Sequence, residues 1–419
     1  MLNNRIFSRF LCTSAKKSRD SRPEFFKKLS CSHHKSDQDH SKLSDLTVND
    51  LICNQAYNEN ISTIFHNENV SFTWSEIYQK SSQLADSLTK LGLENQEPLA
   101  IWSPNLSEWV ITQFAAARAN LPLVTLNPLY TGREVEELLK DINCRALISP
   151  VKVGEMCFQE YVSQMVRKPK FNIVIDPIGT EHRDLQFKDL LNSGNRNYSP
   201  QNDIKSSDLN MIQFTSGTTG KPKAAALTNH NVVNNAIHIS NRIGASSSSK
   251  IAVPVPLFHC FGNVIGTLVS VHSSSTLCFP NSTWSAEKTI EAIEKYELNV
   301  VYGVPTMFID MLAYNNAALR LKSLKQAVGA GSLLPPELLR KLSEEYNIKS
   351  QVVYGTTENS PVVSGCYLDD PFDKQVNTVG RALDQIDLKI IDPNTGKRRF
   401  NLNLPIPFPS RSRPVLSPF

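Results

Sequence analysis

Short, unbroken apolar runs alternate with longer stretches in which apolar residues recur at helical spacing, from about residue 72 onward. The runs are PLAIW, LPLVTL, RALIS, MIQF, IAVPV, STLCF, NVVYG and SQVVYG. Apolar strands separated by amphipathic helices are typical of parallel sheets that are covered on both faces. The pattern therefore predicts an α/β protein.

Several helical stretches carry their own start and stop signals. Capping boxes at Thr73-x-x-Glu76 and Thr131-x-x-Glu134 predict the starts of two helices, and Gly92 predicts the end of the first. A further helix is expected to begin near Thr228. The chain therefore repeats helix and strand units, but none of its sequence is repeated exactly.

The units form two blocks, which are separated by a polar connection over roughly residues 177–208. Beyond residue 377 the chain alternates and then reaches Asp-Pro-Asn-Thr-Gly at 392–396, which predicts a hairpin turn. The segment 399–419 contains five prolines and no acid, which disfavours both helix and strand. We therefore predict two doubly wound α/β subdomains, an incomplete small β element and an irregular proline-rich tail.

The composition is that of an ordinary globular protein. The 419 residues carry a net charge of +4, and the basic residues cluster at the two ends, which argues against a nucleic-acid-binding protein. The eight cysteines form no C-x-x-C pair, which fits neither a disulfide-rich secreted domain nor a zinc ribbon. A reducing compartment is expected for the folded part.

The amino-terminal segment is basic and free of acids through residue 19, and its apolar residues would share one helical face. This pattern is typical of a mitochondrial transit peptide, which favours a mitochondrial, matrix location; the alternative is an unstructured basic tail. The following CSHHKSDQDH at 31–40 contains potential metal ligands but no apolar frame to fix them, so a solvated leader is favoured. We assign residues 1–40 to the transit peptide and leader.

The stretch IAVPVPLFHCFGNVIGTLVSV at 251–271 has no formally charged side chain over about the length that a bilayer requires. Prolines 254 and 256, with His259 and Asn263, interrupt it early. We predict a buried strand, loop and helix here, and no transmembrane segment.

The segment FTSGTTGKPKAA at 214–225 has the components of a phosphate-binding loop. Its glycines allow several N–H groups to point the same way, its hydroxyls add donors, and Lys221 and Lys223 add positive charge. A Walker A loop needs four residues between its glycines and a hydroxyl after its lysine. Because two residues separate Gly217 from Gly220 and Pro222 follows Lys221, this segment is not a Walker A loop.

The same segment resembles the signature of the adenylate-forming enzymes, the superfamily that includes acyl-CoA synthetases. Further matches are NPLYTGREVEELL at 127–139, PLFHCFG at 256–262, GAGSLLPPEL at 329–338 and VVYGTTENSP at 352–361. The resemblance covers roughly residues 45–398 and is closest to the mitochondrial group that activates medium-chain fatty acids. It implies an acid–thiol ligase of fatty acid metabolism that uses ATP, Mg²⁺ and coenzyme A, with small molecules as its partners.

The resemblance also implies roles for individual residues. The β- and γ-phosphates would be held by Thr215, Ser216, Gly217, Thr218, Thr219, Gly220 and Lys223. In the 352–361 motif, Tyr354 would lie against the adenine, followed by Gly355 and Thr356, while Thr357 would contact the α-phosphate and Glu358 would bind Mg²⁺. A carboxylate is also what a hard cation prefers.

Three further sets of residues complete this expectation. His259 would stand between the acyl pocket and the phosphates and would position the substrate; a buried core histidine is the alternative. Gly331 and Ser332 end a strand where a base or an acyl chain could approach the backbone. Tyr302, Gly303, Pro305 and Met307 would line the acyl tunnel, although an ordinary core role fits their types equally well.

Members of the superfamily continue with a T-G-D segment, a hinge and a lid domain that carries a lysine, and none of these follows residue 396 here. We therefore expect the C-terminal lid domain to be absent and this exact chain to adenylate acids slowly. The alternative function is a catalytically silent protein that binds a nucleotide or an acyl group.

Overall fold

The computed structural model describes residues 33–34, 43–175, 184–215 and 222–391. The chain divides into one unit at Ser44–Gly380 and another formed by Met1–Leu43 with Arg381–Phe419. Most of the predicted leader, the predicted turn at 392–396 and the proline-rich tail lie outside the described residues.

The described strands are β1 (His33–His34), β2 (Ile61–Phe65), β3 (Val70–Thr73), β4 (Leu99–Trp102), β5 (Leu123–Leu126), β6 (Ala146–Pro150), β7 (Lys152–Val153), β8 (Met156–Cys157), β9 (Phe171–Ile175), β10 (Leu185–Gln186), β11 (Leu209–Thr215), β12 (Lys223–Thr228), β13 (Lys250–Ala252), β14 (Thr276–Phe279), β15 (Val300–Gly303), β16 (Gln326–Gly329), β17 (Lys349–Gly355), β18 (Val362–Gly365), β19 (Arg381–Ala382) and β20 (Leu388–Lys389).

The described α-helices are α1 (Val48–Cys53), α2 (Trp74–Lys90), α3 (Ser107–Arg118), α4 (Gly132–Asp141), α5 (Phe158–Gln164), α6 (Phe187–Ser193), α7 (Asn229–Ile243), α8 (Val269–Ser273), α9 (Ala286–Tyr296), α10 (Pro305–Leu312), α11 (Ala317–Arg320), α12 (Pro336–Glu344) and α13 (Phe372–Asn377). A π-helix spans Phe261–Leu268 and a 3₁₀ turn spans Thr357–Asn359.

The larger unit contains two main sheets, as the two predicted blocks require. The first has the strand order β10-β9-β6-β4-β5-β11-β12, and all its neighbours are parallel except β11 and β12. The second runs β18-β17-β16-β15-β13-β14-β2-β3, with parallel pairing everywhere except at its two ends. The predicted α/β architecture is confirmed.

An apolar cluster packs against each of the two sheets. Residues such as Trp102, Leu126 and Phe158 fill the first core, where the rings of Trp102 and Phe158 meet edge to face. Val301, Phe308 and Ile290 belong to the second core. These cores fix where each strand ends, and therefore where the loops of the candidate site begin.

The predicted starts of three helices are confirmed by their caps. Thr73, Thr131 and Thr228 each accept a hydrogen bond from a backbone N–H three residues on, in a complete capping box. Helix α9 begins in a similar way, because the Ser285 side chain accepts from the Lys288 N–H group. Local hydrogen bonding thus sets these boundaries, as the sequence signals indicate.

The polar connection predicted over roughly 177–208 is wrong in part, because helix α6 lies within it. The helix buries Phe187 and Leu190, and α2 supports it: Ser87 donates to the Leu190 carbonyl at 2.6 Å and Gln83 donates to the Leu191 carbonyl at 2.8 Å. A short helix stabilised by contacts from a distant helix leaves little periodic signal in its own sequence.

The segment 251–271 forms strand β13, a loop, the π-helix and α8, which confirms the predicted strand, loop and helix. None of the described helices is long and apolar enough to cross a membrane. In the smaller unit, β1 pairs antiparallel with β20.

Candidate active site

The ends of strands β11 and β17 bring together two of the predicted motifs. The Thr215 hydroxyl oxygen lies 3.3 Å from the Glu358 carboxylate and 3.4 Å from the Lys223 carbonyl, and its one hydrogen can be donated to either. Thr215 and Lys223 are also paired across the β11–β12 hairpin. Three predicted site residues therefore lie together, whereas Ser216, Gly217, Thr218, Thr219 and Gly220 lie outside the described residues.

The turn at 354–362 is held by contacts within itself. Thr356 donates its N–H group to the Pro361 carbonyl at 3.0 Å, and the Asn359 amide donates to the Thr356 hydroxyl at 2.8 Å. A Cβ atom at Gly355 would overlap the carbonyl oxygen of Pro361, so no larger residue fits there without backbone movement. These contacts account for the glycine and the asparagine in the motif.

A buried side chain of helix α7 holds the same turn through hydrogen bonds to its backbone. The buried side chain of Asn235 donates to the Val362 carbonyl at 2.7 Å and accepts from the Val362 N–H group at 3.1 Å. The side chains of Tyr354 and Glu358 are exposed, and that of Thr357 is half-buried. The turn is therefore rigidly supported and presents its side chains outward.

The loop that carries His259 is supported in a similar way by the segment before α3, by β5 and by the π-helix. Asn105 donates to the Val255 carbonyl at 3.0 Å and accepts from the Leu257 N–H group at 2.7 Å, while Asn263 donates to the Leu257 carbonyl at 2.8 Å. The Thr125 hydroxyl donates to the carbonyl of residue 258 at 2.8 Å. The side chains of Asn105, Asn263 and Thr125 are buried, so these polar groups serve to hold the loop.

The protonation of His259 follows from one backbone contact and from its surroundings. The Phe261 N–H group donates to Nδ1 of His259 at 3.2 Å, so the proton of the neutral ring is on Nε2. The side chain of His259 is exposed, and the protein atoms around it lower its pKa by desolvation. At neutral pH this side chain is therefore a hydrogen-bond donor at Nε2.

The next residue joins the loop to the turn. The thiol of Cys260 lies 3.8 Å from the Thr357 hydroxyl and 3.6 Å from Nδ1 of His259. Burial raises the pKa of Cys260 to about 12, so the sulfur remains a thiol and is not available as a nucleophile. The contact places His259 next to the motif that contains Glu358.

Gly331 and Ser332 follow strand β16, which lies between β15 and β17. Gly331 has φ of +85°, a conformation that glycine tolerates well, and both residues are exposed. They lie at the same edge of the sheet as Gly355, but no hydrogen bond in the described part of the chain joins them to the other site residues. Their role in binding stays a prediction.

Some residues that build the site were missed at the sequence level. Asn105, Thr125, Asn235 and Asn263 hold its two main segments but belong to no recognisable motif. Asn235 and Asn263 lie within helices, where asparagine is unfavourable unless its side chain is used, whereas Asn105 and Thr125 give no such signal.

A separate cavity of about 530 Å³ lies elsewhere in the larger unit. It is lined by residues around α5 and β9, among them Lys152, Lys168 and Lys170. None of the predicted site residues lines it, so we place the candidate chemistry at the strand ends rather than in this cavity.

Comparisons with known proteins place the chain in a family. Residues 53–400 match the family model described as AMP-binding enzyme. The chain is 36% identical over 366 residues to medium-chain acyl-CoA ligase ACSF2, mitochondrial, of Danio rerio, covering 82% of this chain and 60% of that protein. For the protein of the same name in Mus musculus the identity is 30% over 393 residues, covering 87% and 64%. The chain thus spans less than two thirds of these relatives' length.

Solved structures show the same fold. The anthranilate CoA ligase AuaEII in complex with anthranoyl-AMP superposes with a TM-score of 0.78 at 21% identity, covering 86% of this chain and 69% of that one. The long-chain-fatty-acid-CoA ligase FadD1 from Archaeoglobus fulgidus gives 0.75 at 22% identity, covering 85% and 73%.

Proposed function

Because this chain belongs to the AMP-binding enzyme family, we propose that it takes part in the ATP-dependent activation of a fatty acid to an acyl-adenylate and then to an acyl-CoA. The observation that carries the proposal is the convergence of three segments, in which Thr215 contacts Glu358 and Cys260 contacts Thr357. The names of the relatives support a medium-chain acid and a mitochondrial location, in line with the expected transit peptide.

The residues divide the binding task between the two reactants. The end of β11, with Thr215 and Lys223, would receive the outer phosphates, and the exposed ring of Tyr354 offers a face on which adenine can stack. Thr357 would donate its hydroxyl hydrogen to the α-phosphate. Both reactants are anionic, so donors and positive charge at these positions reduce the repulsion between them.

A magnesium ion fits the oxygen groups that are present here. The Glu358 carboxylate is exposed, and its hydrogen-bond donor is the neutral hydroxyl of Thr215, so its charge is available to a cation. No cluster of three or more potential ligands occurs among the described residues. Glu358 would therefore share the ion with nucleotide phosphates, as is usual for Mg²⁺, and the bound ion would neutralise phosphate charge.

His259 is suited to orienting the acid rather than to removing a proton. Its Nδ1 atom is occupied by the Phe261 N–H group, and its lowered pKa keeps the ring neutral. The Nε2–H group would donate to a carboxylate oxygen and hold the attacking atom next to the α-phosphate. The thiol of Cys260 takes no covalent part, since its pKa of about 12 keeps it protonated.

Acid-dependent exchange of pyrophosphate into ATP tests the proposal on the purified 419-residue chain. Short, medium and long carboxylic acids are offered with Mg²⁺, and calorimetry measures the binding of ATP in parallel. We expect exchange to require an acid and to be fastest with medium chains. Binding of ATP without exchange or thioester product would instead favour the silent nucleotide-binding alternative.

A second arm tests whether the 419-residue chain reacts slowly, as the sequence leads us to expect. Its rate is compared with that of a fusion that adds the C-terminal portion of one of the relatives. A faster fusion supports the expectation, and equal rates contradict it.

A further inference from the structure

Two buried polar side chains hold the middle of the π-helix at Phe261–Leu268. The amide group of Gln113, from the middle of α3, donates to the carbonyl of Asn263 at 3.2 Å. The hydroxyl group of Thr267 contacts the same carbonyl, and it lies 2.7 Å from Oε1 of Gln113, to which it can also donate. The side chains of Gln113, Asn263 and Thr267 are all buried. The three residues therefore form a closed hydrogen-bonded group that ties the π-helix to α3.

Asn263 connects this group to the loop that carries His259. Its backbone N–H group donates to the His259 carbonyl at 3.1 Å, and its side chain donates to the Leu257 carbonyl at 2.8 Å. Phe261, the first residue of the π-helix, donates its N–H group to Nδ1 of His259 at 3.2 Å, and its ring stacks on that of Tyr302 with centroids 5.6 Å apart. The start of the π-helix thus holds both the backbone and the imidazole of His259.

The contact from α3 fixes one of two helical registers that this segment could adopt. A π-helix, in which each N–H group pairs with the carbonyl five residues earlier, is rare and often occurs at functional sites. Pairing with the carbonyl four residues earlier would give an α-helix, and that change would rotate the residues at the start of the segment. Because Gln113 belongs to a separate helix, its bond to the Asn263 carbonyl opposes this rotation and keeps the Phe261 N–H group directed at His259.

Stability alone does not account for Gln113 and Thr267. Phe114 and Leu268, which follow them in the chain, are buried and apolar, and buried polar groups are unfavourable unless they are paired. When both partners of a buried hydrogen bond are replaced by apolar groups of the same shape, the loss of stability is often small. The hydrogen-bonded pair is therefore better explained by the position that it gives to the His259 loop.

We propose that Gln113 and Thr267 are positioning residues, which act through Asn263 and Phe261 to hold His259 where its Nε2–H group can donate to the acid. This inference rests on the proposed function, because the acid is the proposed ligand of His259. In the described part of the chain, no hydrogen bond joins Gln113 or Thr267 to the residues that would bind ATP. Loss of either side chain should therefore affect the acid and spare the nucleotide.

Acid-dependent pyrophosphate exchange tests this on the 419-residue chain, with octanoate as the acid and with both octanoate and ATP varied. Gln113→Met and Thr267→Val keep the approximate size of each side chain but remove its hydrogen bonds. We expect each to lower kcat about 10- to 100-fold, as when a reacting group is displaced by about 1 Å, and to raise the KM for octanoate but not that for ATP. Thr267→Ser keeps the hydroxyl group and should retain the wild-type kinetics.

Amide hydrogen exchange, measured by mass spectrometry, reports on the loop without requiring turnover. In Gln113→Met and Thr267→Val we expect faster exchange in peptides that cover residues 257–268, and unchanged exchange in α2 and α6. The matched control is Ser87→Ala, which removes a buried hydrogen bond between α2 and the Leu190 carbonyl of α6. It should be less stable than the wild type while it keeps the wild-type kinetics.

The outcomes separate the inference from the proposed function. If Gln113→Met and Thr267→Val keep the wild-type kinetics, or if Ser87→Ala loses activity to the same extent, the inference is overturned and the proposed function stands. If the wild type catalyses no acid-dependent exchange of pyrophosphate, the proposed function fails. Amide exchange then decides the inference alone, and wild-type exchange rates at 257–268 in both variants would overturn it.

Discussion

The turn at 354–362 and the loop at 255–263 flank the candidate site, and the same kind of contact holds both. Each has a buried asparagine whose side chain donates to backbone carbonyl groups and accepts from a backbone N–H group: Asn235 for the turn, where the carbonyls are those of Asn359 and Val362, and Asn105 for the loop. We call the turn the polar wall and the loop the apolar wall. Tyr354 and Glu358 of the polar wall are exposed, whereas Leu257, Cys260 and Phe261 of the apolar wall are buried.

From this difference we infer that the two walls contact different parts of the proposed reactants. The polar wall presents charged and hydroxyl groups to solvent, which suits a phosphorylated ligand and a cation. The apolar wall offers Nε2 of His259 at its edge and aromatic rings behind it, which suits a carboxylate that is attached to a carbon chain. Each wall can therefore be perturbed separately.

The largest expected effect is that of Glu358→Gln on the polar wall. Glutamine keeps the shape and can still accept from Thr215, but it lacks the charge that would bind Mg²⁺. We expect acid-dependent pyrophosphate exchange to fall about 100- to 1000-fold, or about 2.7–4 kcal/mol, as when an electrostatic contact to the transition state is removed. Glu345→Gln, at an exposed position after α12, is the control and should keep the wild-type rate. If Glu358→Gln keeps the wild-type rate, the cation does not bind at the polar wall.

Alanine substitutions at glycines test how tightly the backbone of each wall is packed. A Cβ atom at Gly355 would overlap the Pro361 carbonyl oxygen, and one at Gly262 would overlap that of Pro256. We expect Gly355→Ala and Gly262→Ala each to lower the free energy of unfolding by about 3 kcal/mol, because the backbone must move. Denaturant titration measures this, with Gly154→Ala as a control for backbone strain alone: no atom lies within 4 Å of its Cβ, and its φ of +57° should cost only about 1 kcal/mol. If either variant is as stable as the wild type, the backbone of that wall can move without cost to make room for the added Cβ atom.

The residue types of the polar wall can be read from chemical requirements in the sequence, whereas most of the apolar wall was identified only through a resemblance. Phosphate and cation binding require particular residue types, so Thr215, Lys223 and Glu358 stand out in the sequence. An acyl chain requires only apolar surroundings, which Phe261 and Tyr302 share with any protein core. The chemistry of phosphate and cation binding restricts the residue types, whereas almost any apolar residue can surround an acyl chain.

Long-range pairing limits sequence-based prediction of the fold in the same way. The starts of α2, α4 and α7 follow from local capping and were predicted correctly. In contrast, β2 joins the second sheet beside β14, more than two hundred residues away, and no local pattern indicates this pairing. Helix α6 was missed because a distant helix, α2, stabilises it, and strand β12 was missed although it pairs with the adjacent β11.

The third prediction concerns pH and reaches the apolar wall through α3. Glu68 accepts from the Ser107 N–H group at 3.0 Å and from its hydroxyl at 2.7 Å, and so caps the helix that follows Asn105. Burial, as the largest cause, raises the pKa of Glu68 from 4.5 to about 7. Between these values the folded carboxyl keeps a proton that the unfolded one loses, so its contribution to stability falls as pH rises.

Glu68→Gln should remove this dependence, because glutamine resembles the protonated form at every pH. We expect the free energy of unfolding of the wild type to decline by about 2 kcal/mol more than that of the variant between pH 4.5 and 7. Urea titrations at a series of pH values measure the difference. Parallel curves for the two proteins would mean that Glu68 titrates normally in the fold.

The most direct comparison comes from the two asparagines. Asn235→Asp and Asn105→Asp each replace the amide donor by a carboxylate oxygen that faces a backbone carbonyl, while the acceptor for the N–H group remains. We expect each to cost about 3–5 kcal/mol, because a buried carboxylate without a positive partner replaces a paired amide. Calorimetry with ATP and with an acyl-sulfamoyl adenosine then separates the walls. Asn235→Asp should weaken the binding of ATP, whereas Asn105→Asp should reduce the contribution of the acyl chain, and equal losses with both ligands would show that the two walls move as one.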